Sequence, residues 1–394
     1  MESKKIKYFL AFIVLSIYLY SGSRLGYSAD EIYIRVAIIK DAEDAVISAR
    51  GDYEVTDLVT NEVVANGKAL RLSRVKAIGG NIHIAKKDFI SRRIRISTDK
   101  DITVRINDKD NRYRDSIEIS ADRKGKITIV NSIGLEQYVK GVLYHEVSHR
   151  FPMEATKAQA VATRTYALYQ KIKNKDLAYD VTSDIYSQVY GGRSAERYRT
   201  NLAVDKTEGE ILMYENKILP TYFHANSGGH TEDVRELWEE DLPPLYGVPS
   251  GFSIGMPAYE WKKNFRLKDI QDKLVKSGYK IGMISDFEIM ERNKSGRIRR
   301  LKISDRDGKS LYIKGKDFRQ IIGPNEIKSN NYDIDMRGYF ADFSGKGWGH
   351  GVGMCQWGAR AMADKRYKYN GILNFYYPGA ELRDSREEKI EGLK

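Results

Sequence analysis

Hydrophobic and polar residues alternate with a period of two through the N-terminal third of the chain. In EIYIRVAII, Ile32, Ile34, Val36 and Ile38 fall on one face, and the alternation recurs over residues 94–106. This period is typical of half-buried β-strands, and the Gly-Asp and Asn-Asp pairs between them predict turns. The pattern predicts a β-rich accessory region over residues 30–111, in which no constellation of chemically active side chains stands out.

The hydrophobic period changes at Ile133, where GLEQYVKGVLYHEVSHR predicts an amphipathic helix. Its apolar positions have helical spacing: Leu135, Tyr138, Val139, Val142 and Leu143. At about 100° of rotation around the helix axis per residue, these side chains lie between about −60° and about +80°, with Leu135 taken as zero. Glu146 falls at about +20° on the same scale, in the centre of the apolar arc.

Glu146 therefore puts a carboxyl group where the period predicts a core residue. An unpaired buried carboxylate is costly, so it needs either a cationic partner or a raised pKa. A raised pKa makes a carboxyl group a usable general acid near neutral pH. The alternative is a structural, ion-paired glutamate, although the C-terminal end of a helix is an unfavourable place for an anion.

The same stretch contains a second pattern, because His145, Glu146 and His149 spell H-E-x-x-H. On a helix this pattern binds zinc through two histidines, with the glutamate as general base. A zinc protease needs a third protein ligand, and the extended motif requires Gly and His where this chain has Pro152 and Ala155. The distant histidines would have to supply that ligand: His224, His230 or His350. We therefore predict no metal site and keep the zinc protease as a third alternative.

A second helix is predicted over PMEATKAQAVATRTYALYQKIK, with Pro152 suited to its first turn. The pair Phe151-Pro152 is expected to end the preceding helix. Lys157 and Arg164 share one face of the second helix with two aliphatic residues. This face is either an ordinary solvated surface or one side of a groove beside Glu146.

Two later segments are rich in glycine and polar residues. YFHANSGGHTE, over residues 222–232, runs from a strand-like stretch into a Gly-Gly turn. FSGKGWGHGVGMCQWGARAMA has glycine at every second position over residues 345–353 and then predicts a helix from about Met354. Alternating glycine lets another segment or a ligand approach the backbone closely, and the spacing is not that of a dinucleotide-binding loop. The candidate binding residues of these segments are Tyr222, His224, Ser227, His350 and Gln356.

The composition restricts the classes of partner. The chain has 394 residues, 41% of them hydrophobic, which is enough for two domains with real cores. A net charge of +12 favours anionic partners, but no nucleic-acid motif is present and the charges are spread, so we predict no nucleic-acid binding. The single cysteine, Cys355, excludes an internal disulfide and a zinc–thiolate cluster. A small buried side chain is favoured over a nucleophile at this position.

Residues 1–29 predict export as a signal peptide or as a membrane anchor. Three lysines within the first seven residues precede an apolar run over residues 8–20, which is short for a spanning helix and suits a signal-peptide core. Neither Ser23 nor Ala29 makes a clean cleavage site, so an uncleaved membrane anchor remains an alternative. The lysines before the apolar run disfavour a buried core helix. In both cases the rest of the chain is expected outside the cytoplasm, with a charged tail over residues 386–394.

Taken together, these motifs resemble the SpoIID/LytB family, which comprises stage II sporulation protein D and the related amidase enhancers. The resemblance runs from about Arg112 to Glu381 and rests on four blocks in the same order. They are NRYRDSIEI with ITIVNSIGLEQYVKGVLYHEV, FPMEATKAQAVATRTYAL, YFHANSGGHTE and GKGWGHGVGMCQWGA. The resemblance implies an α+β fold, in which a β-rich region with a structural or wall-docking role precedes a mixed, SpoIID-like catalytic domain over residues 112–385 with a central groove.

Sporulation members of this family are lytic transglycosylases, which cut peptidoglycan glycan strands and prefer strands without stem peptides. The resemblance places the catalytic glutamate on Glu146 and implicates Lys157 and Arg164 in the groove. It leaves His145 and His149 incidental and implies no cofactor. Other members stimulate a cell-wall amidase, and a non-catalytic amidase activator is therefore the second alternative.

The chemistry that the resemblance implies needs one carboxyl group. That group protonates the glycosidic oxygen and then takes the proton of the sugar's own 6-hydroxyl, which gives a 1,6-anhydro-muramyl product. A hydrolase would use a second carboxylate about 5–9.5 Å away, for which Glu232 and Asp184 are the candidates. Some members also have a Cys/His metal site before a Q-V-Y-like segment, but residues 182–186 contain neither residue type.

Overall fold

The structure, a computed structural model, describes residues 31–85, 87–184, 187–238 and 240–392. These residues form α-helices and strands in several sheets, which confirms the predicted α+β class. The predicted signal peptide or anchor over residues 1–29 lies outside the described residues. Within the described ranges, no helix has both the length and the apolar character that crossing a membrane requires.

The chain divides into two compact units, and the first consists of residues up to Leu135 together with Gly192–Ser194. Its strands are β1 (Tyr33–Ala42), β2 (Asp44–Ala49), β3 (Tyr53–Asp57), β4 (Val63–Gly67), β5 (Leu70–Ile78), β6 (Asn81–Ile84), β7 (Lys87–Phe89), β8 (Arg93–Thr98), β9 (Ile102–Ile106), β10 (Lys109–Tyr113), β11 (Ser116–Ala121) and β12 (Ile127–Gly134). They pair antiparallel in the orders β1-β12-β11-β8-β3-β4 and β10-β9-β2-β5-β6-β7. The sequence analysis divides the chain at residue 112. In the structure, β10, β11 and β12 still belong to the sheets of the first unit, which extends to Leu135.

Alternating side chains form the core of the first unit. Ile34, Val36, Ile94, Ile96 and Ile102 are all without solvent exposure, while their neighbours along the strands, apart from the buried Ala37, are at least partly exposed or polar. The period of two read from the sequence is therefore the period of burial, since successive side chains of a strand point to opposite faces. This agreement confirms the predicted β-rich region.

The second unit consists of Glu136–Gly191 and the residues from Ala195 onward. Its helices are α1 (Leu135–Glu146, which starts at the unit boundary), α2 (Met153–Lys173), α3 (Tyr198–Asp205), α4 (Arg235–Trp238), α5 (Leu267–Lys276), α6 (Gly315–Ile322), α7 (Gln356–Asp364) and α8 (Tyr369–Tyr376). Its strands are β13 (Val181–Thr182), β14 (Glu210–Tyr214), β15 (Lys217–Ile218), β16 (Phe223–His224), β17 (Glu260–Arg266), β18 (Ile284–Arg292), β19 (Ile298–Asp305), β20 (Ser310–Lys314), β21 (Tyr332–Arg337), β22 (Phe340–Lys346), β23 (Met354–Cys355) and β24 (Glu381–Asp384).

Two hydrophobic clusters hold the second unit together. One joins α2, α7 and α8 through residues such as Val161, Met362 and Leu373. The other packs α5 and α6 against β17–β22 through residues such as Leu274 and Phe318. The alanines of α2 are buried, two of them (Ala158 and Ala162) in the first cluster, and their small side chains allow the neighbouring helices to approach closely.

Helix α1 starts where predicted but ends earlier. Its last helical residue is Glu146, and the Val147 N–H still donates to the Leu143 carbonyl at 3.0 Å. A separate turn follows, in which the Phe151 N–H donates to the Ser148 carbonyl at 2.9 Å. The prediction that Phe151-Pro152 ends this helix is therefore wrong, because the turn breaks it five residues sooner.

The glycine run lies close to the YFHANSGG segment, a pairing that the sequence analysis does not predict. Strand β16 pairs parallel with β23, with Phe223 opposite Met354 and His224 opposite Cys355. A Cβ added at Gly349 would lie 2.7 Å from the Cβ of His224, so a side chain there has no room. The predicted start of the last long helix at Met354 is two residues early, because residues 354–355 pair as a strand and the Cys355 thiol accepts from the N–H of Gly358 at the start of α7.

We expect Gly353→Ala to lower the free energy of unfolding of the second unit by about 1–3 kcal/mol. Gly353 has a φ of +70°, and an added Cβ would lie 2.0 Å from the Tyr222 carbonyl oxygen. Urea denaturation followed by tryptophan fluorescence measures this, because all four tryptophans belong to the second unit: Trp238, Trp261, Trp348 and Trp357.

Gly371→Ala is the matched control for this substitution. Gly371 lies in α8 with no atom within 4 Å of an added Cβ, so alanine there leaves stability unchanged or raises it slightly. Equal destabilisation by both substitutions would contradict the close approach of the two segments.

Candidate active site

Glu146 lies at the C-terminal end of α1, where two donors from other parts of the second unit meet its carboxylate. The Val189 N–H donates to Oε1 at 3.2 Å, and the Gln356 amide donates to Oε2 over a long 3.5 Å. Gln356 is the first residue of α7, so the fold brings together residues that are 210 positions apart. The prediction places Gln356 near Glu146, and the structure brings them together.

Burial raises the pKa of Glu146 to about 7, against the opposing hydrogen bonds from Val189 and Gln356. The rest of α1 explains the burial, because Tyr138, Val139 and Val142 on the same face are without solvent exposure. The C-terminal end of the helix also disfavours a negative charge. Glu146 as a residue keeps partial solvent exposure, while the burial of its carboxyl group lets it hold a proton near neutral pH.

We expect the stability of the protein to fall as the pH rises from about 4.5 to about 7 because of Glu146. The folded-state pKa lies above the unfolded value, so the folded state binds more protons in this window. The contribution is up to about 3 kcal/mol at about 1.4 kcal/mol per pKa unit, and less where solvent reaches the partly exposed group. Urea titrations at several pH values measure it.

Glu146→Gln removes this pH dependence, because glutamine does not titrate. Glu208→Gln is the control, since Glu208 is an exposed glutamate of the same unit. A difference in unfolding free energy between the wild type and Glu146→Gln that stays constant from pH 4.5 to 8 would contradict the raised pKa.

A cavity of about 500 Å³ lies in the second unit, and Glu146 itself is not one of its lining residues. Tyr166 and Ser187 line it: burial raises the pKa of Tyr166 to about 12, with the charge of Glu146 among the lesser contributions, and Ser187 precedes Val189 by two residues. Tyr222 and Trp238 stack in its wall, with ring centroids 4.3 Å apart. The cavity has the volume of a typical ligand pocket, and one wall is a flat aromatic surface.

The predicted histidines lie at this cavity as a neutral pair. His350 lines it, and the buried His224 ring lies behind with its centroid 5.6 Å away. Val352 holds both rings, because its carbonyl accepts from His224 Nδ1 and its N–H donates to His350 Nδ1, each at 3.1 Å. Burial lowers the pKa of His224, and burial together with the nearby Arg319 lowers that of His350 to about 3. Both rings are therefore neutral near pH 7.

Arg164 does not line a groove, so that prediction is corrected. Its guanidinium has no solvent exposure and binds Glu136 through two hydrogen bonds of 2.7 and 2.6 Å. A third hydrogen bond, of 3.0 Å, goes to the Glu210 carbonyl. The face that Arg164 shares with Val161 points into the hydrophobic core, so its cation is structural.

Lys157 also has other partners than those predicted. Its ammonium forms an ion pair of 3.0 Å with Glu154 and lies 5.2 Å from the centroid of the Tyr369 ring. In the part of the chain that the structure describes, the hydrogen-bonding partners of the Glu146 carboxylate are Val189 and Gln356, so Lys157 does not pair with it.

Ser227 is a third residue whose predicted role changes. It has no solvent exposure, and its hydroxyl lies 2.8 Å from that of Ser253. Its N–H donates to the Cys355 sulfur at 3.2 Å, and its carbonyl accepts from Arg297 at 2.8 Å. Ser227 therefore holds the Gly-Gly turn in place. Cys355 is buried, as predicted.

The geometry that H-E-x-x-H requires is not formed. Since α1 ends at Glu146, His149 lies in the following turn and the two histidines do not project from adjacent turns of one helix. Both side chains are exposed. Among the described residues, no three His, Cys, Asp or Glu side chains converge in a way that suits a metal ion.

The two candidate second carboxylates have hydrogen-bond donors of their own. Glu232 accepts from Asn293 at 2.7 Å, and burial raises its pKa while Arg297 opposes the rise. Asp184 accepts from the Thr182 hydroxyl at 2.8 Å. Within the described ranges, the hydrogen-bond donors to the Glu146 carboxylate are Val189 and Gln356.

Several features of the site have no clear signal in the sequence. Val189 contributes only its backbone N–H, which any residue except proline supplies. Tyr166 lies in the FPMEATKAQAVATRTYAL block and was a recognisable position without a predicted role. Trp238 follows the YFHANSGGHTE segment. The chain has four tryptophans, and the position of this one close to a predicted binding segment was a signal that the sequence offered.

Sequence comparisons identify relatives of this chain. The sequence model of the SpoIID family, described as stage II sporulation protein, matches residues 123–214, and that of a domain of unknown function matches residues 250–353. An uncharacterised protein of Brachyspira hyodysenteriae is 38% identical over 257 residues, which cover 65% of this chain and 68% of that protein. Stage II sporulation protein D of Bacillus amyloliquefaciens is 32% identical over 274 residues, or 65% and 76% of the two chains. The amidase enhancer of Bacillus subtilis is 28% identical over 288 residues, or 62% and 40%. The chain belongs to the SpoIID/LytB family.

Proposed function

We propose that this protein is a lytic transglycosylase of peptidoglycan glycan strands, with Glu146 as its single acid/base group. The observation that carries the proposal is the Glu146 carboxyl group, whose pKa is raised to about 7, and whose charge acts on Tyr166 in the lining of an aromatic-walled cavity. A general acid works best when its pKa lies near the working pH. Membership of the family of stage II sporulation protein D supports a role in the cell wall.

Both proton transfers use the same carboxyl group. Protonated Glu146 donates its proton to the glycosidic oxygen, and the bond from this oxygen to C1 breaks as the leaving sugar departs. The resulting carboxylate is held by the Val189 N–H and the Gln356 amide. It then takes the proton of the 6-hydroxyl, whose oxygen bonds to C1 and closes the 1,6-anhydro ring. No water is consumed, so no second carboxylate is required to activate one.

We also propose that the protein acts outside the cytoplasm, where peptidoglycan lies. The support is the sequence of residues 1–29, in which lysines precede a short apolar run. The net charge of +12 favours an anionic polymer as partner.

Activation of a cell-wall amidase is the second candidate function. It is supported by the relative named amidase enhancer, although this chain spans less than half of that protein. In this case the cavity binds glycan without cutting it, and Glu146 has no catalytic role.

Analysis of the products separates these functions. The purified protein is incubated with peptide-free glycan strands, with and without a chelator, and the fragments are examined by mass spectrometry. Fragments with 1,6-anhydro ends that persist in chelator support the transglycosylase. Intact strands combined with faster cleavage by an added amidase would sink it in favour of the activator. Chelator-sensitive proteolysis of a casein control would restore the zinc protease.

A further inference from the structure

The side chain of Tyr138 contacts the residues on both sides of Val189. Tyr138 belongs to α1, about two turns before Glu146. Its hydroxyl donates to Gln188 Oε1 at 2.9 Å, and its ring stacks on that of Tyr190, with the centroids 5.3 Å apart. Tyr138 therefore holds the residue before and the residue after Val189, whose N–H donates to the Glu146 carboxylate.

The peptide group between Gln188 and Val189 makes the first of these contacts important. This group is planar, so the orientation of Gln188 sets the direction in which the Val189 N–H points. Gln188 is buried, and its side-chain amide also donates to the Thr163 carbonyl at 3.5 Å. A further hydrogen bond of 3.1 Å runs from the Gly191 N–H to the Gly141 carbonyl of α1. The segment is thus held at several points around the donor.

The titratable groups around the Glu146 carboxylate are mainly tyrosines. Tyr138 of α1 and Tyr166 of α2 face its charge, which is a lesser cause, after burial, of the raised pKa of each hydroxyl. His145 is the neighbouring residue on α1, and burial lowers its pKa. The other elements that meet the carboxylate contribute the two uncharged donors described above. Both tyrosines stay protonated near neutral pH, where Glu146 itself titrates.

We infer that Tyr138 is a positioning residue, which fixes the Val189 N–H at the Glu146 carboxylate by holding the two residues that flank the donor. The inference deepens the proposed function and rests on it only for the use of this carboxylate in catalysis. In the proposed reaction the carboxylate forms when the proton leaves, and a donor that is already in place stabilises it without rearrangement. The same hydrogen bond opposes the effect of burial on the pKa of Glu146.

The test removes the Tyr138 hydroxyl alone and follows the ionisation of Glu146 without turnover. Tyr138→Phe keeps the ring that stacks on Tyr190 and loses the hydrogen bond to Gln188. We expect the pKa of Glu146 to rise by about 0.5–1 pH unit, because each backbone donor to a carboxylate lowers its pKa by about 1. Carbon-13 NMR of protein labelled at the glutamate Cδ measures this pKa, and the Glu146 resonance is the one that Glu146→Gln lacks.

Gln188→Met tests the same contact from the other side and is expected to give a similar rise. Combined with Tyr138→Phe it should add nothing further, because both substitutions remove one shared hydrogen bond. Tyr376→Phe is the matched control: the Tyr376 hydroxyl is also buried in the second unit and lies 2.9 Å from that of Ser250. Its loss should lower stability without changing the pKa of Glu146.

A pH profile of glycan cleavage separates this inference from the proposed function. If both hold, the alkaline limb of the Tyr138→Phe profile moves to higher pH by the same amount as the pKa from NMR. A raised pKa without any cleavage by the wild type means that the positioning role stands and the transglycosylase fails.

Three results would overturn the positioning role. They are an unchanged Glu146 pKa in Tyr138→Phe, an equal rise in the Tyr376→Phe control, and rises in Tyr138→Phe and Gln188→Met that add fully in the double variant. Cleavage by the wild type, with anhydro-ended products, would leave the proposed function standing in each case.

Discussion

Glu146→Gln is expected to lower the rate of glycan cleavage by about 10²- to 10⁴-fold while the fold is retained. Glutamine has nearly the same shape as glutamate, and its carbonyl oxygen still accepts from the Val189 N–H. The Gln356 amide can turn to present its oxygen to the new amide N–H. What is lost is the proton that Glu146 donates to the glycosidic oxygen in the proposed mechanism. Release of anhydro-ended fragments, quantified by mass spectrometry, measures the rate.

Two controls make this result specific. Glu208→Gln removes an exposed carboxylate of the same unit and should leave the rate unchanged. The wild-type rate should fall as the pH rises through about 7, because the protonated form of Glu146 is lost. Wild-type rates from Glu146→Gln, with its tryptophan fluorescence unchanged, would assign the chemistry to another group.

Glu146 was predictable because its position conflicts with a local rule. Its helix has an apolar face, and a carboxyl group in the middle of that face conflicts with the pattern. The sequence shows this conflict but not its cause. In the structure the Glu146 carboxyl group is buried and accepts from two donors, and no cation of the described residues pairs with it. Those donors were less predictable: Gln356 was a candidate from its glycine-rich segment without an assigned partner, and Val189 contributes a backbone group that carries no signal of its residue type.

For Arg164, the sequence predicted the helical spacing correctly but the environment of the side chain wrongly. Helical spacing placed Lys157 and Arg164 on one face, but spacing does not show whether that face meets solvent or another helix. Val161 and Leu168 on the same face are completely buried, so the face belongs to the core. The end of α1 was missed for a related reason, since the turn at Ser148 that breaks it lies before the proline that was expected to do so.

Arg164→Met is expected to lower the free energy of unfolding of the second unit by about 3 kcal/mol or more. Methionine fills much of the same volume but donates no hydrogen bond. The substitution removes the two hydrogen bonds that the Glu136 carboxylate accepts from the guanidinium, and the one that the Glu210 carbonyl accepts. Urea denaturation followed by tryptophan fluorescence reports on this unit alone.

Lys157→Met on the same helix is the matched comparison for this variant. Lys157 has a single ion pair with Glu154, in which both side chains keep some exposure, so its loss costs no more than about 1 kcal/mol. Arg164→Met combined with Glu136→Leu should recover part of the lost stability, because replacing both members of a buried pair removes the unpaired charge. If Arg164 instead binds substrate, Arg164→Met lowers the rate of cleavage without a change in the urea midpoint. That result would return Arg164 to the groove, because a purely structural cation changes stability first and affects catalysis only through the fraction of protein that is folded.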